Sequence, residues 1–109
     1  MEKRVRMNLL YDLYGALITD KRSEALRLSL EEDYSLVEIA EMTGVSRQAV
    51  HESITRAEEK LEAYENTLHM LEHDLRERDL LRKAVALLDQ GDIPGAREVL
   101  TGLIEEGNE

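Results

Sequence analysis

The sequence predicts an all-α fold: a helix-turn-helix head followed by a long helical arm and a C-terminal helical hairpin. Three observations carry that expectation. Apolar residues recur at three- and four-residue steps along most of the 109-residue chain, and no stretch alternates apolar and polar residues as a strand would. Charged residues make up 35 % of the chain and Phe and Trp are absent, a composition that suits Leu/Ala/Glu/Arg-rich helices. A serine–glutamate capping box, a glycine and a second capping serine then follow one another between Ser35 and Ser46.

The first helix is expected from Lys3 to Ile18, where Met7, Leu10, Tyr14, Leu17 and Ile18 form one broad apolar face with Leu9 and Leu13 beside it. A second restarts after Thr19 or Asp20 as N-cap, with Ala25, Leu26, Leu28 and Leu30 apolar. Ser35 and Glu38 form the capping box of a short third helix whose Leu36, Ile39 and Ala40 are expected to face inward. Gly44 suits the left-handed position past its end, Val45 fills the corner, and Ser46 caps the next helix. Residues 46–90 contain neither Pro nor Gly. As one helix they would extend about 65 Å, too far for a small domain unless the helix projects or breaks. Val50, Ile54, Ala57, Leu61, Tyr64, Leu68, Leu71 and Leu75 follow a near-heptad seam, and the charged run at 76–79 interrupts it. A break is therefore expected within residues 74–79. Finally, the Gln90–Gly91–Asp92 turn, with Asp92 as cap and Pro94 in the first turn, opens a last helix carrying Ala96, Val99, Leu100, Leu103 and Ile104. With Leu80, Leu81, Ala84, Val85, Leu87 and Leu88 it should form an antiparallel hairpin. The expected organisation is a head over residues 1–61, then the arm and hairpin over 62–109.

Without cysteine there is no disulfide framework and no thiolate site. No apolar run approaches the roughly 18 residues of a membrane span, and no signal peptide is visible, so a cytoplasmic protein without a membrane partner is expected. The charge is uneven. Residues 1–57 hold 8 basic and 10 acidic residues, whereas residues 58–109 hold 6 and 14 of the total net charge of −10. The acidic second half repels polyanions, so any nucleic-acid contact must come from the first.

The pattern over residues 35–57 reads as a helix-turn-helix, with small Ala40 at the crossing and Ile39, Val45, Val50 and Ile54 packing the corner. That leaves Arg47, Gln48, His51, Glu52 and Thr55 outward on the second helix, where its first turns would meet base edges in the major groove. Arg suits guanine and Gln suits adenine through paired hydrogen bonds, and the free backbone N–H groups behind Ser46 suit a phosphate. The expected nucleic-acid-binding residues are Ser46, Arg47, Gln48, His51, Thr55 and Arg56. Lys3, Arg4, Arg6, Lys21, Arg22 and Arg27 would add contacts if folding brought them to the same side.

Residues 18–61 resemble the C-terminal promoter-reading domain of sigma factors, which makes the head sigma-like and places Arg47, Gln48, His51 and Glu52 at that family's DNA-facing positions. Glu58 and Glu59 stand where sigma factors continue with basic residues, and no other sigma region is present. A fuller resemblance runs from "RVRMNLLYDLYGALITDKR" through "SLVEIAE" to "VSRQAVHESITRAEEKLEAYENTLHM". It is to the YlxM family, small bacterial helix-turn-helix proteins linked to the signal recognition particle pathway. The resemblance implies a regulatory protein of that pathway that reads DNA or the particle's RNA. The alternative is a non-enzymatic module that binds a protein component of the particle, with the helix-turn-helix as scaffold.

No phosphate-binding loop, catalytic triad or isolated carboxylate pair is recognisable, so no enzymatic activity, catalytic residue or cofactor is expected. His69 and His73 have the four-residue spacing of a helical zinc site, but they are better explained as flanks of the seam, and no metal is expected. Leu61, Tyr64, Leu68, Leu71 and Leu75 are read as a seam for a dimer or partner, with a homodimer favoured.

Overall fold

The structure, a computed structural model, describes residues 1–18 and 21–107. Among them are six α-helices: α1 (Lys3–Tyr14), α2 (Lys21–Glu31), α3 (Leu36–Thr43), α4 (Arg47–Leu68), α5 (Met70–Asp89) and α6 (Ile93–Gly107), with a 3₁₀ turn at Gly15–Leu17 after α1. No strand occurs among the described residues, and the fold is all-α. Thr19 and Asp20, the expected caps of α2, lie outside the described residues. Contacts divide the chain into two units, Met1–His69 and Met70–Glu109.

In the first unit, α4 packs against α1, α2 and α3. Its core comprises Met7, Leu10, Tyr14, Ile18, Ala25, Leu26, Leu28, Ile39, Val50, Ala57 and Leu61, all buried. Around Ala25, Leu28, Ile39 and Val50 pack the partly buried Tyr34, Ala40 and Ile54. The expected inward residues therefore hold in the main, with three corrections. Leu17 is 52 % exposed, because α1 gives way after Tyr14 to a 3₁₀ turn, and Leu36 is 38 % and Val45 48 % exposed. An eight-residue helix buries one narrow stripe, and in α3 Ile39 occupies it. Val45 is not needed as a filler because the corner is held by a backbone cap on one side of it and a side-chain cap on the other. The Gly44 N–H, at φ 74°, bonds the Ala40 carbonyl at 2.9 Å, and the Ser46 hydroxyl accepts from the Ala49 N–H at 3.0 Å.

Polar pairs join α1 to α4. Arg6 donates through both arms of its fork to Glu62, at 2.7 and 2.8 Å. Lys3 pairs with Glu58 at 3.4 Å. The Tyr14 hydroxyl donates to the buried Glu65 carboxylate at 2.7 Å, and its ring stacks on Tyr64 with centroids 5.9 Å apart. Arg4 reaches the end of α2, donating to the Ser29 carbonyl at 3.1 Å and to Asp33 at 2.8 Å. Asp33 itself takes a left-handed φ of 57° that stops the helix.

The helix from Ser46 ends earlier than expected. Residues 74–79 lie inside α5, and the interruption is at His69, whose φ of 54° and ψ of 28° close α4 with its N–H on the Glu65 carbonyl at 2.8 Å. Histidine is one of the few residues besides glycine enriched in this left-handed conformation.

In the second unit, α5 and α6 pack together. Gly91, at φ 82°, stands between two reverse bonds, its own N–H to the Leu88 carbonyl at 3.0 Å and the Asp92 N–H to that of Leu87 at 2.8 Å. The Asp92 carboxylate then accepts from the Gly95 N–H at 3.0 Å and starts α6. Buried Ala84 and Ala96 let the two backbones approach, and Arg76 pairs with Glu106 at 2.6 Å near the open end.

Replacing Tyr14 by Phe leaves the shape intact but removes the hydroxyl donor from a buried carboxylate. Stability should fall by about 1.5–3 kcal/mol, read as a lower urea midpoint at unchanged slope. The Arg6 fork holds the Glu62 carboxyl below its ordinary range. A depressed carboxylate pKa stabilises the fold above the unfolded-state value, about 4.3, and that gain is lost as pH falls through the folded value. Wild type should therefore exceed Glu62→Gln by up to about 1 kcal/mol near neutral pH, since the pair is partly exposed, and the gap should close in acid denaturation below pH ~4.

Candidate nucleic-acid interface

The helix-turn-helix is α3, the Gly44–Val45–Ser46 corner and the first turns of α4. Each part follows from local chemistry. The Ser35 hydroxyl accepts from the Glu38 N–H at 3.2 Å while the Glu38 carboxylate accepts from the Ser35 N–H at 3.1 Å, so both sides of the expected capping box are present. Gly44 closes α3 and Ser46 opens α4, as the sequence predicts.

Arg47, Gln48 and His51 are exposed on the first two turns of α4, and Ser46 is exposed while serving as the cap. These four are brought together at the start of one helix. Arg56 is exposed further along. Thr55 is only half-exposed and lines a concavity of about 380 Å³ with Lys3, Glu58, Glu59, Glu62, Ala63 and Asn66. Three carboxylates in that lining make it unsuitable for a phosphate. Glu52 is exposed one turn after Gln48 and one turn before Arg56, so a negative charge separates the two cationic positions.

The supporting cations are largely engaged. Lys3, Arg4 and Arg6 bind Glu58, Asp33 and Glu62, and Arg27 pairs with Glu24 at 2.6 Å and Glu31 at 3.5 Å. Its bonds to Glu24 raise the Arg27 pKa further. The side chains of Lys21 and Arg22 lie outside the described residues. No ion pair reaches Arg47 or Arg56 among the described residues, so these two cations carry what positive field the first half of α4 has.

The seam residues have separate fates. Leu61 is fully buried in the head core, Tyr64 stacks on Tyr14, Leu68 is 47 % exposed, Leu71 is buried and Leu75 is half-buried. Because α4 stops at Leu68 and His69 is left-handed, His69 and His73 do not share one helix face. Among the described residues no group of three His, Asp or Glu side chains converges on a metal-sized space.

One surface escaped the sequence reading. Leu36, Val37, Met42 and Val45 are all exposed on and beside α3. The signal was available: "LVEIAEM" has too many apolar residues for one stripe of an eight-residue helix, so the surplus must face solvent.

Comparison with known proteins agrees with this geometry. Residues 1–92 match the family UPF0122, helix-turn-helix proteins described as "YlxM / p13 like". A UPF0122 protein of Symbiobacterium thermophilum is 44 % identical over 101 residues, covering 93 % of this chain and 94 % of its own length. Those of Streptococcus agalactiae and Streptococcus gordonii are 56 % and 54 % identical over 70 residues, covering 64 % of this chain and 64 % of their own lengths. The family match ends at residue 92, just before α6. No helix is long and apolar enough to cross a membrane among the described residues.

Because the Ser46 hydroxyl caps α4, Ser46→Ala should cost about 1 kcal/mol of head stability in chemical denaturation, while Ser46→Asp, which caps equally well, should restore it.

Proposed function

The chain belongs to the UPF0122 family of YlxM/p13-like helix-turn-helix proteins, and from that membership we propose that it is a non-enzymatic regulator that binds nucleic acid through the start of α4. The observation that carries this reading is the presentation of Arg47, Gln48 and His51, exposed side by side on a Ser46-capped helix start. Arg47 and Gln48 supply directional donors for base edges. The uncapped backbone N–H groups of the first turn supply a phosphate site. Contact is confined to the first turns, because Thr55 already borders the carboxylate-lined concavity. The ligand is DNA or the RNA of the signal recognition particle, and the protein acts with that particle in the cytoplasm. Family resemblance supports this setting.

A second reading has its own observation. With Lys3, Arg4, Arg6 and Arg27 engaged by carboxylates and Leu36, Val37, Met42 and Val45 exposed, the head also suits a protein component of the particle. Burial of those four side chains would drive association without phosphate neutralisation.

Fluorescence anisotropy with duplex DNA and with particle RNA at low salt separates the readings. Binding with a shallow log–log salt slope of roughly −2 to −3, lost in Arg47→Glu and kept in Val37→Glu, is expected from the first. Wild-type protein that binds neither nucleic acid, yet pulls down a particle protein in a manner abolished by Val37→Glu/Met42→Glu, would overturn it in favour of the second.

A further inference from the structure

We propose that one face of the α5–α6 hairpin is a docking surface for the same face of a second copy of this chain. Two packed helices cover one stripe on each other and leave two broad faces, and here the faces differ in chemistry. One holds a groove of about 430 Å³ whose rim carries Arg76, Lys83, Glu98 and Glu106. These polar groups suit solvent. The other carries Leu81, Val85 and Leu88 from α5 and Ile93, Leu100 and Ile104 from α6. All six are exposed, by 37–66 %.

That the six share one face follows from helix geometry. On α5 the groove is lined by residues at 76, 80, 83 and 87, and Leu81 and Leu88 each lie one residue, about 100°, further round. On α6 the groove takes residues 95, 98, 102 and 106, and Ile93, Leu100 and Ile104 occupy the stripe on the far side of buried Ala96. The short turn at Gly91 and the Arg76–Glu106 pair make the helices antiparallel, so both rotations lead to the same side.

Area and charge argue for a second copy. Two helices of this length present a face roughly 30 Å by 20 Å, about 600 Å² per copy, or ~1,200 Å² for a pair. That reaches the lower bound of stable protein interfaces. A two-fold axis lying in the plane between the two faces and perpendicular to the helices makes the contact self-complementary. It carries the turn end of one hairpin onto the open end of the other. Arg97 stands at the turn end, between Ile93 and Leu100 on their stripe, and is exposed. At the open end, Asp74 and Glu77 outnumber Arg78. The perpendicular axis places Arg97 against those carboxylates, whereas an axis along the hairpin would set Arg97 against its own copy. Of the acids beside the turn, Asp92 is engaged in capping α6, while Asp89 at the end of α5 is exposed.

The test is the mass of the full chain in solution, by light scattering and sedimentation equilibrium across a dilution series. The expected result is a species of twice the 12.5 kDa chain at micromolar concentration. Leu81→Glu/Ile104→Glu should be monomeric with unchanged helical circular dichroism. Should that variant lose helix, the surface charge swap decides. Arg97→Glu should weaken the dimer roughly tenfold, because two symmetric pairs are lost, and Arg97→Glu/Glu77→Arg should recover it. A wild type that stays monomeric at high micromolar concentration overturns the proposal. So does a dimer indifferent to both the apolar and the charge variants.

Discussion

The head depends on how α1 grips α4. Three residues along one side of α4, Glu58, Glu62 and Glu65, meet Lys3, Arg6 and Tyr14 of α1, while Leu10, Ala57 and Leu61 are buried in the same unit. The most demanding of these contacts is at Glu65. A carboxylate 94 % removed from solvent is tolerable only with donors supplied, and the Tyr14 hydroxyl is one of them. The Arg6–Glu62 fork, less buried, adds direction: two parallel bonds fix the angle at which α1 lies on its partner more tightly than a single lysine contact would. With α4 held by α1 and α2, the short α3 has a rigid wall on which to pack Ile39, and the corner between them is set.

This arrangement changes the meaning of the acidic residues after Thr55. Read in sequence, Glu58 and its neighbours look like the root of an arm that repels polyanions. In the fold, Glu58, Glu62 and Glu65 are chiefly internal partners, and Glu59 alone of that group is exposed. The same pairing engages Lys3 and Arg6, two of the cations of α1 that could otherwise meet a polyanion. A single choice of residues therefore both strengthens the head and narrows its positive surface to the first turns of α4.

What could be read from the sequence was local. The Ser35–Glu38 box, Gly44, the Ser46 cap and the Asp92 start of α6 each depend on chemistry within four residues, and each is where it was expected. The exposed trio Arg47, Gln48 and His51 was legible for the same reason, since helix spacing alone sets which side is outward. The misreadings came from competition between neighbours or from contacts distant in sequence. Nothing local distinguishes Val45 as a solvent-facing valine or Leu36 as surplus to the α3 stripe. The stop at His69 uses a residue that is usually helical, with no glycine or proline to announce it. Arg4 closing the end of α2, and Arg6 bound to a carboxylate 56 residues away, are tertiary facts without a sequence signature. Along the apparent heptad seam the surroundings differ, since Leu61 is buried in the head core and Tyr64 stacks on Tyr14 while Leu68 is exposed, and periodicity alone does not distinguish them.

The Tyr14–Glu65 bond also bears on how the protein comes into being. Its partners are 51 positions apart, and the ribosome releases the earlier one first. At about 5–20 residues per second, α1 emerges roughly 3–10 s before the segment that buries Met7, Leu10 and Tyr14. Throughout that interval a nascent amphipathic helix presents its apolar side uncovered. The head is thus a domain that closes last on its own beginning, and its native state is reached only when translation has passed the end of α4.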